Sequence, residues 1–421
     1  MHWIARIGAV AFMNIGVLVL PAGAWAQEAM FEVEHGTAKL LRLNEDGGFV
    51  VRANGSGEIP AFGADTRLMW YASAGALRAG VVDGAQWDVG AVGLASVAFG
   101  TNTTASGNYS TALGFGSIAG GEAATALGTG SEASGNSSLA AGRRARATGG
   151  GAVALGEGTT AAATDATATG YLTTASGIAA TAMGHSSTAS GYASTALGHG
   201  TVAGADWATA MGQGTIASGH NSTAMGYETR ANGISSTAMG AASVANGIGA
   251  VAMGTRAIAE GAGSFVFADR SSTATYTGLE NQFVVRAHGG IGFNSGTGIG
   301  CDLPAGVGAW ACTSSRLAKE NFADMDGEAV LARLADMPIQ RWSYLGTRAE
   351  HVGPVAEDFY GAFGLGEGST TITTVDADGI ALLGVQTLER RTTELRAENA
   401  ELLRRIENLE AALRMHASPN D

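Results

Sequence analysis

The chain of 421 residues is poor in charge, proline and cysteine. Charged residues make up 14% of it, against a usual share of about 25%. With 46% hydrophobic residues and a mean hydropathy of +0.13, that composition excludes a disordered polar tail. Only 6 prolines accompany 65 glycines, so a collagen-like chain is excluded as well. Lysine and arginine number 24 against 37 acidic residues, a net charge of -13. A nucleic-acid-binding surface wants the opposite excess, so no nucleic-acid partner is expected. Two cysteines are too few for a disulfide scaffold. Cys301 and Cys312 suit an oxidising compartment, where one disulfide closing a small loop is the simple expectation and two free buried thiols the alternative. Long apolar runs are missing too, except near the start. Ile7 to Leu20 carries no charge, follows His2 and Arg6, and precedes the small-x-small triplet Ala24-Trp25-Ala26. Residues 1–26 therefore read as a secretory signal peptide, with Gln27 as the first mature residue. The run is too short for a comfortable membrane span, although an uncleaved anchor is the alternative. The mature chain is expected to be secreted, without a transmembrane anchor, and either soluble or held at a surface. Its length suits two to four domains.

What is abundant is periodic. Alanine occupies every seventh position from Ala98 to Ala259, and glycine every seventh from Gly100 to Gly261, broken only at Ala163 and Ala205. A seven-residue period usually means a coiled coil. Here glycine would cost about 1 kcal/mol at each helical position, and charged flanking positions are nearly absent. The period belongs to something extended and turning, and its true unit is 14. Large apolar residues precede alternate glycines at Phe99, Leu113, Leu127, Leu155, Met183, Leu197 and then from Met211 to Met253. The intervening halves carry small residues, as in Ala105-Ser106-Gly107. The best copies read Ser-Thr-Ala-Met-Gly, at Ser222 to Gly226 and Ser236 to Gly240. Each half is expected to be a strand of four or five residues, followed by a glycine turn at positive φ. The unit is a solenoid coil. Twelve coils stacked about 4.8 Å apart would run about 58 Å. Alanine points inward where space is small. The Leu/Met stripe finds no room inside and is expected to pack against the same stripe of neighbouring chains.

This Ser-x-Ala-(Ile/Leu/Met)-Gly repeat resembles the head of YadA-type trimeric autotransporter adhesins over residues 91–261. The resemblance implies a left-handed parallel β-roll, three chains side by side, and the apolar residue at the trimer axis. It does not extend to the membrane barrel of that family, since no run of alternating strands closes the chain. Residues 27–90 read as an N-terminal β cap, with strands at 39–43, 48–52 and 67–71. Trp70, Tyr71 and Trp87 are expected to pack in that cap rather than to form a sugar platform. Residues 262–313 read as a β connector holding the cysteine pair, with strands at 264–268 and 282–286. His185 and His199, 14 apart, stack one coil above the other. Their column also holds Arg143, Glu157, Tyr171, Gln213 and Tyr227, which favours a tolerant exposed turn over a metal ladder. Arg143-Arg144-Ala145-Arg146 reads as a solvated patch. No metal and no cofactor are expected.

After Cys312 glycine thins out and helix formers appear. Ser314 and Lys319 lie five apart, a spacing that alone means a surface serine and lysine. Their segment, Thr313-Ser314-Ser315-Arg316-Leu317-Ala318-Lys319-Glu320-Asn321-Phe322, resembles the Ser-Asp-x-x-x-Lys-Glu-Asn start of the intramolecular chaperone domain of phage endosialidase tailspikes and myelin-regulatory-factor proteins. Three further stretches agree with that family: Pro338 to Tyr344, His351 to Phe359, and Val375 to Ile380, the last matching a strand that leads to its final helix. The resemblance implies a small α+β domain over 314–384. It also implies a Ser-Lys dyad that acts once on its own chain: Ser314 as nucleophile, Lys319 as general base, Thr313–Ser314 as the scissile bond, and His351 as an orienting group. Ser315 stands where the family usually has aspartate. The segment 385–415 carries Leu388, Leu395, Leu402 and Leu409 seven apart, with Thr392, Asn399, Ile406 and Leu413 four residues after each. It reads as a coiled coil, with a lone amphipathic helix as the alternative.

The chain is therefore expected to be mainly β, a trimeric β-roll solenoid followed by a small α+β chaperone domain that ends in a coiled coil. The expected function is a secreted or cell-surface, adhesin-like homotrimeric fibre. It would meet an unidentified host or matrix ligand, and its C-terminal domain would drive assembly and cut at Thr313–Ser314. The alternatives are a prophage tail-fibre-like structural protein and a trimerisation clamp that does not cleave.

Overall fold

The computed structural model describes residues 29–35, 38–44, 49–51, 59, 62–270 and 273–417. The expected signal peptide at 1–26 lies outside them. The chain divides into two compact units, one of residues 1–293 with 301–311, the other of 294–300 with 312–421.

The first unit is a parallel β-solenoid. Five-residue strands such as Thr111–Phe115 and Thr125–Thr129 stack in one sheet of 16 strands. Two-residue strands such as Ile118–Ala119 and Glu132–Ala133 stack in a second sheet of 13. Ala112 lies opposite Ala126 and Leu113 opposite Leu127, so each coil takes 14 residues. The two halves of a coil are unequal, which corrects the expectation of two similar strands. The second half spends its residues on a turn, closed for example by the Ser110 N–H on the Gly107 carbonyl at 3.3 Å.

The interior is built from small side chains. The alanines from Ala98 to Ala259 at seven-residue spacing are fully buried. A second inner column, Ser96, Thr103, Ser110, Ser117 and their successors, is also fully buried. Some of these hydroxyls bond to backbone, while others, Thr103 and Ser222 among them, have no hydrogen-bond partner. Ser110 Oγ donates to the Gly107 carbonyl at 2.6 Å, and Ser117 Oγ to the Gly128 carbonyl of the next coil at 2.9 Å. A coil this flat admits nothing larger, so the larger apolar groups face outward. Met183 is 42% exposed, and Met211, Met225 and Met239 follow one another in register.

The left-handed backbone of the turns lies elsewhere than expected. Every seventh residue from Ala95 to Gly263 has positive φ, including Tyr109, Leu172 and Trp207. That position comes two residues after each periodic glycine. The glycines of the Met-Gly pairs also have positive φ, but they sit inside the long strands. What they permit is close approach of neighbouring coils. A Cβ at Gly184 would overlap the carbonyl oxygen of Gly198.

The N-terminal end of the solenoid is plugged. The strands Asp65–Tyr71 and Ala76–Val82 form an antiparallel hairpin whose second strand pairs with the first coil, placing Arg78 opposite Ala98. Arg78 is fully buried and donates to the Ser96 carbonyl at 2.9 Å, Ser96 Oγ at 2.8 Å and the Ala105 carbonyl at 3.0 Å. Burial pushes its pKa down to about 10. Trp87, fully buried, donates its Nε1–H to the Thr103 carbonyl at 2.8 Å, and the Arg67 guanidinium lies over its ring. Trp70 stays 40% exposed. Past residue 261 the long-strand sheet continues through Phe265–Ala268 and Phe283–Arg286, so the segment read as a connector begins within the solenoid.

The second unit contains three helices: α1 (Gly327–Asp336), α2 (Ala356–Phe363) and α3 (Thr374–Ala417), with a hairpin of Gln340–Trp342 and His351–Gly353. Asp326 caps α1 by accepting from the Glu328 and Ala329 N–H groups. Val330, Phe359, Phe363 and Ile380 form a small core. Glu328 on α1 pairs with Arg391 and Arg390 on α3, which hold its carboxyl below the usual range. Residues 375–380, expected as a strand, are the opening turns of α3. The Thr373 hydroxyl caps them, accepting from the Asp376 N–H at 3.1 Å, and Ala377, Ile380 and Leu383 meet the core at helical spacing. α3 then runs through position 385 without a break. Its leucines Leu388, Leu395, Leu402 and Leu409 are 50–64% exposed. Among the described residues no helix is long and apolar enough to cross a membrane.

Candidate active site

The segment from Gly300 to Phe322 brings the expected dyad together. The Thr313 N–H donates to the Gly300 carbonyl at 2.8 Å, and the Gly300 N–H donates back to Thr313 Oγ1 at 3.3 Å. Thr313 is thereby held at both backbone and side chain. Ser315, next but one, starts a single 3-10 turn over Arg316–Ala318. Its hydroxyl accepts from the Leu317 N–H at 3.2 Å, and its carbonyl accepts from the Ala318 N–H at 3.0 Å. This tight turn reverses the chain and returns Lys319 to the front of it. Lys319 Nζ lies 2.8 Å from Ser314 Oγ. Beyond it, Asn321 takes a left-handed backbone and the Arg316 guanidinium stacks over the Phe322 ring at 4.7 Å.

Both dyad side chains are exposed to water. In this arrangement the Lys319 amine donates to the Ser314 hydroxyl. A neutral amine next to a serine hydroxyl is the pairing that general-base activation of a nucleophile uses. Ser315 touches neither dyad member through its side chain. It caps the turn, and aspartate at that position would cap equally well, because both are favoured N-caps. That function was hidden in the sequence, although a serine before a short helical stretch is its usual signal.

His351 opens the second strand of the hairpin. Its ring packs against Trp342 at 4.9 Å and Tyr344 at 5.6 Å, and it makes no hydrogen bond to Ser314 or Lys319. Cys301 and Cys312 are both disulfide-bonded. On the solenoid His185 and His199 stack at 4.7 Å and Tyr171 joins them at 5.0 Å, at the ends of long strands rather than in a turn. Among the described residues no group of three or more His, Cys, Asp or Glu is placed to hold a metal. The arginine patch is partly paired, Arg143 with Glu157 and Arg146 with Glu132.

Comparison with known families finds two matches along the chain. The YadA head domain repeat matches residues 91–117, 119–145, 147–173, 175–201, 205–229, 231–257 and 245–267. The chaperone of endosialidase family matches residues 314–364, a stretch that contains the dyad and the hairpin. No curated protein matches the chain.

Proposed function

Because the chain joins YadA head repeats to a chaperone-of-endosialidase domain, we propose that it is a secreted or surface-held homotrimeric fibre of the adhesin kind. Its C-terminal unit assembles the trimer and then cuts itself off. The outward Leu/Met stripe of the solenoid and the exposed leucine seam of α3 support three chains, since each leaves apolar surface that one chain does not cover. Parallel pairing between chains is slow because it closes distant contacts. A coiled coil aligns the chains first, and cleavage afterwards removes the route back, so the fibre unfolds slowly.

The observation that carries the chemistry is Lys319 Nζ at 2.8 Å from Ser314 Oγ, beside an anchored Thr313. Neutral Lys319 takes the Ser314 hydroxyl proton while Oγ bonds to the Thr313 carbonyl carbon. The Thr313–Ser314 C–N bond then breaks, and the proton passes to the departing Ser314 nitrogen. The product is an ester of Thr313 on Ser314 Oγ. Water hydrolyses it to a Thr313 carboxylate and restores the serine hydroxyl. The exposure of the dyad in one chain ties this step to assembly, which makes the cut a report of correct trimerisation.

The same exposure favours the second reading, a clamp that assembles the fibre and stays attached. Expressing residues 27–421 and weighing the products separates the two. The expected outcome is two fragments divided at Thr313–Ser314, with Ser314→Ala and Lys319→Ala left whole. An intact wild-type trimer would leave the clamp.

A further inference from the structure

Between Tyr192 and Asn221 the turns of the solenoid carry side chains that the fold does not ask for. Trp207 has a left-handed backbone, φ 53, and is 49% exposed. A bulky residue is rare in that conformation. At the equivalent turn of other coils the chain uses Ala95, Ala123, Ala179 or Ser235, so neither the turn nor the core requires an indole there. Rings of the neighbouring coils hold it in place. Tyr192, also exposed, meets it edge to face with centroids 5.5 Å apart, and His220 does so at 4.9 Å. Asp206 is a second surplus. One of its carboxylate oxygens accepts from the Tyr192 N–H at 2.8 Å. Asn108 and Asn136 make the same bond with a neutral amide, to the Leu94 and Glu122 N–H groups. The turn therefore needs an acceptor there and not a charge, and the second carboxylate oxygen is left for an incoming donor. His220 Nδ1 accepts from the Asn221 side-chain amide at 3.1 Å, which puts the proton of the neutral ring on Nε2 as a donor.

We propose that Tyr192, Asp206, Trp207 and His220 form a binding surface for a neutral oligosaccharide, an inference that rests on the adhesin reading and names its ligand class. A sugar ring has an apolar C–H face and a rim of hydroxyls. Exposed aromatic rings cover such a face, the Asp206 carboxylate accepts from hydroxyls in charge-assisted bonds, and His220 Nε2–H donates to one. The four residues lie on three successive coils, about 10 Å along the solenoid axis, room for a short oligosaccharide. They bring one carboxylate and no lysine or arginine, on a chain of net charge -13. Sialylated and sulfated sugars are repelled by that charge, so the ligand is a neutral one.

The test uses residues 27–421 as wild type, Trp207→Ala, Trp207→Tyr and Asp206→Asn, each checked by circular dichroism and sedimentation. The probes are arrayed oligosaccharides ending in galactose, mannose or N-acetylglucosamine, with sialylated and sulfated counterparts. Wild type is expected to hold at least one neutral oligosaccharide. Trp207→Ala is expected to weaken that binding about tenfold or more, Trp207→Tyr to keep most of it, and Asp206→Asn to weaken it about fivefold. Asp206→Asn should leave stability unchanged, because asparagine keeps the bond to the Tyr192 N–H. Wild type that holds no neutral oligosaccharide overturns the proposal, as does wild type that holds only the acidic counterparts, or binding that Trp207→Ala leaves unchanged. Loss of a wild-type trimer in Trp207→Ala also overturns it, since the patch is then an interface between copies. The site lies within one chain, so sedimentation separates the two readings. Single chains that bind through Trp207 retain the site and refute the fibre, whereas a trimer that binds no sugar retains the fibre and refutes the site.

Discussion

At the residue scale, glycine does two different jobs in the solenoid, and only one of them is irreplaceable. Gly184 has φ +108, and a Cβ there would overlap the Gly198 carbonyl oxygen and lie 3.0 Å from its carbon. Both atoms belong to backbone hydrogen-bonded into the sheet, so neither can move away cheaply. Gly200 has φ +62 and would place its Cβ in open space. Its only penalty is the left-handed backbone, about 1 kcal/mol. Alanine, serine, leucine and tryptophan all accept that penalty at equivalent turns. Gly200→Ala should therefore lower stability by about 1 kcal/mol and Gly184→Ala by more than about 3 kcal/mol, read from denaturant midpoints at unchanged slope. The strict glycine period was plain in the sequence, but its cause was not. A turn and a close backbone approach both select glycine, and only the stacking of coils tells them apart.

At the element scale, the solenoid depends on how its first coil ends. A parallel sheet exposes unpaired backbone groups and an open core at its terminus. Here Arg78 and Trp87 fill that end, and Arg78 donates to the Leu77, Ser96 and Ala105 carbonyls and to the Ser96 hydroxyl. Arg78→Ala removes those bonds and the packing of a fully buried side chain and leaves a cavity in its place, a loss of about 3 kcal/mol or more. Amide exchange should quicken at residues 96–105 and stay unchanged in the central coils, because each coil contacts only its neighbours. Equal exchange in variant and wild type would count against the plug. The depressed pKa of about 10 gives a sign as well. The unfolded chain binds the extra proton above about pH 10, so this group raises stability with pH only in the strongly alkaline range. It adds no pH dependence at neutrality. Nothing in the sequence marked Arg78, since a lone arginine in a strand usually faces water. Its burial follows from the register that sets it in the alanine column.

At the scale of the whole molecule, the apolar stripe is the surface on which the proposed association rests. The stripe runs down the outer face of the long strands in register from coil to coil. Met211→Asp with Met225→Asp puts two adjacent carboxylates into the surface proposed to lie at the trimer axis. The double variant should keep its β circular dichroism and sediment as single chains or with much weakened association, while wild type sediments as a trimer. Wild type that sediments as single chains would remove the fibre reading.

The sequence by itself determined the solenoid, its 14-residue period, the inward alanine and the outward Leu/Met stripe. A repeat that recurs in every coil leaves one way to bury small residues and expose large ones. It also placed Ser314 and Lys319 in one short segment. What only the tertiary structure decided lies where the pattern stops repeating: the Arg78 plug, the helical course of residues 375–380 and the packing of His351 against Trp342 and Tyr344. Those outcomes depend on contacts between residues distant in the chain, and no local period encodes them.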